Sequence, residues 1–192
     1  MLISTDKYPG LKIFKDNWKK IRDTINNDTF IIHPSYEALK QLNNDAYQNV
    51  GWSSCGVIVN NELVKKYREI YKFTIDLYNQ LDLPNKLGVG FTKFEAGGYV
   101  KTHNDKEASY RYHLCLQGEE NKSVIYSGDD KLIYSPGDDF ILNTLDLHSV
   151  YNNSKTTARV NLVVDFVPDS SMIKNYSKYF SADEYGANIK NV

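Results

Sequence analysis

"RYHLCLQGEENKSVIYSGDDKLIYSPGDDFILNT", residues 111 to 144, is the stretch that decides the fold. Apolar side chains recur at every second position in short runs, and Gly, Asn and Asp close each run. A period of two belongs to a strand with one buried face, and the closing residues belong to tight turns. The pattern extends outward in both directions. Upstream lie KLGVGFTKFE (86–95) and YVKTH (99–103), and downstream lie HSVYN (148–152) and ARVNLVVDF (158–166). Eight such segments at near-even spacing predict a mainly β, antiparallel, closed or double-sheet domain of the jelly-roll kind.

Before Pro84 the period changes. NELVKKYREIYKFTIDLYNQL (61–81) sets Leu63, Tyr67, Ile70, Tyr71, Leu77 and Tyr78 near helical spacing, which predicts one amphipathic helix capped by Asn60 or Asn61. Shorter helices are expected around 14–25 and 35–43, with strands at TFIIH (29–33) and GVIV (56–59). A chain of 192 residues without repeats or low-complexity linkers reads as one domain. Residues 1–84 form its α/β support region, 85–168 its β core and 169–192 a tail.

Charge and cysteine content narrow the function classes. Twenty-three Lys and Arg against 24 Asp and Glu give a net charge of −1, so the basic footprint of a nucleic-acid binder is missing. Cys55 and Cys115 stand in apolar surroundings without a Cys-x-x-Cys spacing, arguing against a disulfide framework or a thiolate zinc site. No apolar run reaches membrane-spanning length, and the first residues lack a basic-then-apolar leader pattern. A reducing, cytoplasmic setting is the expectation.

Strand alternation sorts the chemistry by face. On RYHLCL, Arg111, His113 and Cys115 share one side; on ARVNLVVDF, Arg159, Asn161, Val163 and Asp165 do. His103 and Asp105 lie two apart in HND, and His148 follows in LDLHSVYN. Two imidazoles and a carboxylate on one side of a metal leave positions open for an oxidant and a co-substrate, as in non-haem iron(II) sites; structural zinc takes four closed ligands. If the metal is iron, an arginine one strand beyond the second histidine, here Arg159, can hold a dicarboxylate through charge-assisted contacts.

From Val89 to Phe166 the chain resembles the aspartyl/asparaginyl β-hydroxylase family of iron(II)- and 2-oxoglutarate-dependent oxygenases. The matching segments are THND followed by YRYHLCL, then SPGDDFILNTLDLHSVYNNS, then ARVNLVVDF. The resemblance implies a double-stranded β-helix, cupin-like, with an N-terminal helical region. It implies His103 and His148 as iron ligands, with Asp105 completing the set, and Arg111, His113 and Arg159 as 2-oxoglutarate contacts, assisted by Thr92. Its activity would be hydroxylation of an amino acid, free or in a peptide or protein, consuming O2 and releasing succinate and CO2. Animal members have glycine where this chain has Asp105. The H-x-D pattern is therefore more similar to small single-domain relatives and free-proline hydroxylases. The acidic pair usual before the second histidine is also missing, with Asp146 a partial substitute.

Plainer readings accompany these. Arg159 can form an ion pair with Asp165 or Asp139, and Arg111 and His113 can form a buried polar network with Asp105 and no ligand. Asp105 can orient His103 without touching a metal. Trp52, Tyr47 and Tyr110 are candidate pocket aromatics that core packing explains equally well. Two other functions fit the same residues: a cupin-type metal enzyme that ignores 2-oxoglutarate, and a non-enzymatic jelly-roll ligand-binding protein.

Overall fold

The computed structural model describes residues 2–31, 49–105 and 110–169. Its elements are β1 (Leu2–Ile3), α1 (Lys12–Asp16), α2 (Trp18–Arg22), β2 (Asn49–Val59), β3 (Glu62–Leu63), α3 (Lys72–Gln80), β4 (Lys86–His103) and β5 (Tyr110–Gln117). They continue with β6 (Ser123–Ser127), β7 (Asp130–Tyr134), β8 (Asp139–Asn143), β9 (His148–Asn152) and β10 (Arg159–Phe166). All described strands join one antiparallel sheet in the order β1-β8-β5-β10-β4-β9-β6-β7, with β2 and β3 attached through β4. The Leu2 amide donates to Asp130 Oδ2 at 3.1 Å, so the two ends of that path meet and the sheet is a nearly closed barrel. This is the mainly β jelly-roll architecture that the alternation predicts.

Strand β4 is the hinge of the design. The segments 86–95 and 99–103, expected as two strands, run on as one strand with two sets of partners. Its first half pairs with β10 and residues 99–103 pair with β9, while β2 runs along both halves, from Val89 to Val100. Between them Gly97 adopts φ +72°, a conformation open to glycine at little cost, and the register shifts beyond it. Gly90 serves close approach instead: a Cβ there would lie 2.5 Å from the Cys55 carbonyl oxygen of β2.

Two apolar clusters lie on opposite faces of the central strands. The outer one joins Tyr112, Leu114 and Leu116 of β5 and Val160, Leu162, Val164 and Phe166 of β10 to Leu11, Phe14, Ile21, Tyr71 and Ile75 of the helical region. The inner one contains Phe94, Val100, Cys115, Ile125, Tyr134, Phe140, Leu142 and Val150. Each fully buried aliphatic or aromatic side chain on the outer face contributes roughly 1.5–3 kcal/mol by leaving water.

The helical region departs from expectation. The helix predicted over 61–81 begins only at Lys72. Asn60 and Asn61 take φ of 51° and 63°, the left-handed pair of a tight hairpin, and Glu62–Leu63 fold back onto Ile58–Val59. Those asparagines are therefore turn residues and not caps. Lys65–Tyr67 form a short 3-10 turn. Within this stretch Tyr67 and Tyr71 reach Thr29: the Tyr67 hydroxyl donates to its carbonyl at 3.1 Å, and the Tyr71 hydroxyl lies 2.5 Å from its Oγ1. Long-range pairing thus outweighs local helical period, and Ile70 stays exposed while Tyr67, Tyr71, Leu77 and Tyr78 are buried. The helix expected over 14–25 is split into α1 and α2 at Asn17, whose side-chain amide donates to the Ile13 carbonyl at 2.8 Å. The strand expected at 29–33 is reduced, among described residues, to a bridge between Ile31 and Ser54. The 35–43 helix and the tail beyond residue 169 fall outside the described residues.

Candidate metal centre

His103 closes β4 and His148 opens β9, and the two are direct cross-strand partners with ring centroids 4.3 Å apart. Asp105 follows two residues after His103, and its backbone amide donates to the Thr144 carbonyl at 2.9 Å. This contact ties the end of β4 to the turn that leads into His148. One ligand atom from each of His103, Asp105 and His148 lies within 4.8 Å of the others. Among the described residues this is the group of His, Cys, Asp and Glu with that property.

Each imidazole has the same kind of backbone partner, the carbonyl two residues before it. His103 Nδ1 lies 2.8 Å from the Lys101 carbonyl oxygen, and His148 Nδ1 lies 2.8 Å from that of Asp146. A nitrogen facing a carbonyl oxygen carries the proton, so the lone pair of each ring sits on Nε2. His103 Nε2 faces Asp105 Oδ1 at 3.6 Å. Burial holds the pKa of His148 below its ordinary value, with Asp105 opposing and His103 adding to the depression. The neutral imidazole is the form that binds a metal, so tautomer, charge state and convergence all fit a three-ligand cation site.

Arg111 stands beside this group. Its Nη1 donates to Asp105 Oδ2 at 3.3 Å, while Nε and Nη2 donate to Asp165 Oδ1 and Oδ2 at 2.7 and 3.3 Å.

Deeper inside, the inner face of the barrel is polar where the outer face is apolar. Arg159 is 1% exposed, with its guanidinium 4.3 Å above the Phe94 ring and Nη1 donating to the Tyr134 hydroxyl. No carboxylate pairs with it among the described residues. The ion pairs weighed for it are engaged elsewhere: Asp165 holds Arg111, and Asp139 holds Lys15 at 2.5 Å and the Tyr112 hydroxyl at 3.3 Å. Arg159 Nε, Thr92 Oγ1, His113 Nε2 and Asn161 Oδ1 are all buried without a hydrogen-bond partner among the described residues. Register places Asn161 opposite both Thr92 and Cys115, and His113 next along β5, so these orphaned atoms belong to one interior wall. His113 stacks on Phe140 at 4.8 Å, with Nδ1 3.4 Å from Asn161 Nδ2. Burial first, then the charges of Arg111, Arg159 and His148, hold its pKa well below the ordinary value. The ring is therefore neutral and lies within electrostatic reach of both the ligand group and the buried arginine.

Sequence reasoning missed Tyr134, the inward residue at the end of β7 that meets Arg159. The signal was parity, since Tyr134 pairs with Ser123 and shares its face with Leu132, but no short-range feature ties β7 to β10. Trp52 stacks near Phe94 on the inner cluster at 6.3 Å. Tyr110 packs instead against Tyr8 and Phe166 in the outer cluster, which removes it from the pocket aromatics; Tyr47 is outside the described residues. Both cysteines are free and buried, and burial pushes Cys55 up to about 11 and Cys115 to about 12, so neither supplies a thiolate.

A nearly closed antiparallel barrel with convergent His, Asp and His side chains defines a jelly-roll protein built around a candidate metal centre. The chain belongs to the aspartyl/asparaginyl beta-hydroxylase family, whose model matches residues 15–168, and this membership marks it as hydroxylase-like. No curated protein sequence matches it. Similar solved structures include a predicted oxalate decarboxylase of Thermotoga maritima, at 16% identity and TM-score 0.43, covering 62% of this chain and 84% of that one. The Cnp3 cupin domain of Schizosaccharomyces pombe is similar at 11% identity and TM-score 0.44 over 68% of this chain and 75% of that one. A cupin-2 domain of Rhodospirillum rubrum is similar at 9% identity and TM-score 0.41 over 68% and 74%. Among the described residues no helix is long and apolar enough to cross a membrane.

Proposed function

We propose that the protein is an iron(II)- and 2-oxoglutarate-dependent dioxygenase that hydroxylates an amino acid, free or within a peptide or protein. The observation that carries this reading is Arg159. A guanidinium buried to 1% exposure without a carboxylate partner among the described residues is costly, and a bound anion offsets that cost. The His-Asp-His group and the buried guanidinium both lie within electrostatic reach of His113, and a dicarboxylate with a metal-chelating end requires a cation and an anion site so near each other.

His103, Asp105 and His148 would hold the iron and leave its remaining positions open. Iron(II) held there would, with O2, supply an oxidant for an unactivated C–H bond, 2-oxoglutarate being consumed to succinate and CO2. The protein's own work is binding and exclusion. Arg159 and the Tyr134 hydroxyl grip the far carboxylate, with Thr92 Oγ1 and Asn161 supplying further polar atoms. His113, held neutral, presents Nε2 to the co-substrate without adding a second buried charge. Phe94, Phe140 and Val150 line the same interior and keep water from it.

The test is anaerobic titration of the metal-free protein with iron(II) and then 2-oxoglutarate, following the weak visible charge-transfer band of the chelate. The band is expected in the native protein, lost in His148→Ala, and shifted to much higher 2-oxoglutarate concentration in Arg159→Ala. Iron binding without a band at any concentration would move the cupin-type reading ahead.

A further inference from the structure

We infer that Asp165 is a positioning residue for the metal centre: it clamps Arg111, and Arg111 in turn holds Asp105 in the orientation a cation requires. The inference rests on the metal reading above. It gives Arg111 a role other than the co-substrate contact implied by the family resemblance.

Asp165 on β10 and Arg111 on β5 are direct cross-strand partners on the inner face, so two central strands fix their relative position. The carboxylate of Asp165 meets the guanidinium through both oxygens, Oδ1 to Nε at 2.7 Å and Oδ2 to Nη2 at 3.3 Å. A forked pair of this kind sets the plane of the guanidinium as well as its place. The remaining edge of the guanidinium then directs Nη1 at Asp105 Oδ2, 3.3 Å away. The two oxygens of Asp105 thereby take separate tasks: Oδ2 is held by Arg111, and Oδ1 faces His103 Nε2 at 3.6 Å.

Asp105 needs such support. It lies beyond the last ladder residue of β4, anchored through its amide to Thr144, and the terminal torsion of an aspartate is broad and weakly restrained. A ligand that rotates freely costs a metal site affinity, whereas one hydrogen-bonded to a fixed neighbour does not.

Charge gives the second reason for Asp165. A lone guanidinium beside Asp105 would compete with the cation for the carboxylate and repel the divalent charge. With Asp165 in place the three side chains sum to −1, the charge of one aspartate, so Asp105 keeps its attraction for a metal while gaining a fixed orientation. The arginine acts as a rigid spacer between two carboxylates.

Cobalt(II) titrated into the full metal-free chain without 2-oxoglutarate, followed by its visible absorption, reads the metal site apart from turnover. Asp165→Asn, close in shape, is expected to weaken cobalt binding roughly 10- to 100-fold. Arg111→Lys, which keeps the charge and loses the fork, is expected to do the same. In both, 2-oxoglutarate affinity at saturating cobalt stays within about threefold of native, a split that a merely structural role would not produce. The combined Arg111→Gln/Asp165→Asn variant is expected to lose no more than Arg111→Gln or Asp165→Asn alone, because the residues act as one unit. Should Asp165→Asn not fold, Arg111→Lys and the combined variant decide. Native-like cobalt affinity in these variants, or loss confined to 2-oxoglutarate affinity, overturns the inference and returns Arg111 to the co-substrate. A folded native protein that binds no cobalt overturns the metal reading itself, an outcome distinct from native binding that ignores Asp165.

Discussion

The two faces of β5 and β10 differ as sharply as any two regions of the molecule. Outward, Tyr112, Leu114, Leu116, Val160, Leu162, Val164 and Phe166 are all at 0–1% exposure and packed under the helical region. Inward, the same strands carry Arg111, His113, Asn161 and Arg159, with buried polar atoms on the last three that have no hydrogen-bond partner among the described residues. One face supplies the burial that stabilises the fold. The other carries desolvation costs that a bound anion and metal, as proposed above, would relieve.

The largest expected effect comes from the proposed iron ligands. His148→Ala should abolish iron binding, by titration, and all turnover, because a three-ligand site has no redundancy. Retained iron affinity in that variant would break the assignment of chemistry to the inner face. Next comes Arg159→Met, expected to raise the 2-oxoglutarate requirement roughly 30-fold or more while leaving iron binding nearly intact, as loss of a buried charge contact costs about 2–5 kcal/mol. The same variant sharpens the contrast in the ligand-free state. Urea unfolding should find it as stable as native or more so, because an uncompensated buried charge is gone.

On the outer face the expectation reverses. Leu162→Ala should cost about 2–5 kcal/mol in urea unfolding, through lost burial and a cavity, with iron affinity per folded molecule unchanged. A destabilised Arg159→Met together with a neutral Leu162→Ala would erase the distinction between the faces.

The smallest effect concerns pH. The pKa of His113 is depressed in the folded state from an ordinary 6.5, so just below 6.5 the unfolded chain binds a proton there that the folded chain does not. Stability therefore falls as pH drops below 6.5, with a slope of at most about 1.4 kcal/mol per pH unit from this site. His113→Gln should flatten that slope in urea denaturation of the metal-free protein between about pH 5 and 7. An unchanged slope would mean that burial of this ring carries no penalty for its charged form.

By itself the sequence determined what depends on near neighbours. Alternation assigned the residues of RYHLCL and ARVNLVVDF to their faces, and turn residues marked most of the strand ends, because a strand's period and a turn's backbone demands are local. The spacing of His103, Asp105 and His148 suggested a ligand group by residue type alone. Tertiary structure decided what depends on register across distant strands. It showed that β4 is one strand with two sets of partners, and that Asn60 and Asn61 turn a hairpin where a helix was expected to begin. It also showed that Asp165 belongs to Arg111, which leaves Arg159 without a carboxylate among the described residues. A charged residue carries the same label whether its partner lies across the strand or nowhere, and only the pairing of β10 with β5 distinguishes the two cases.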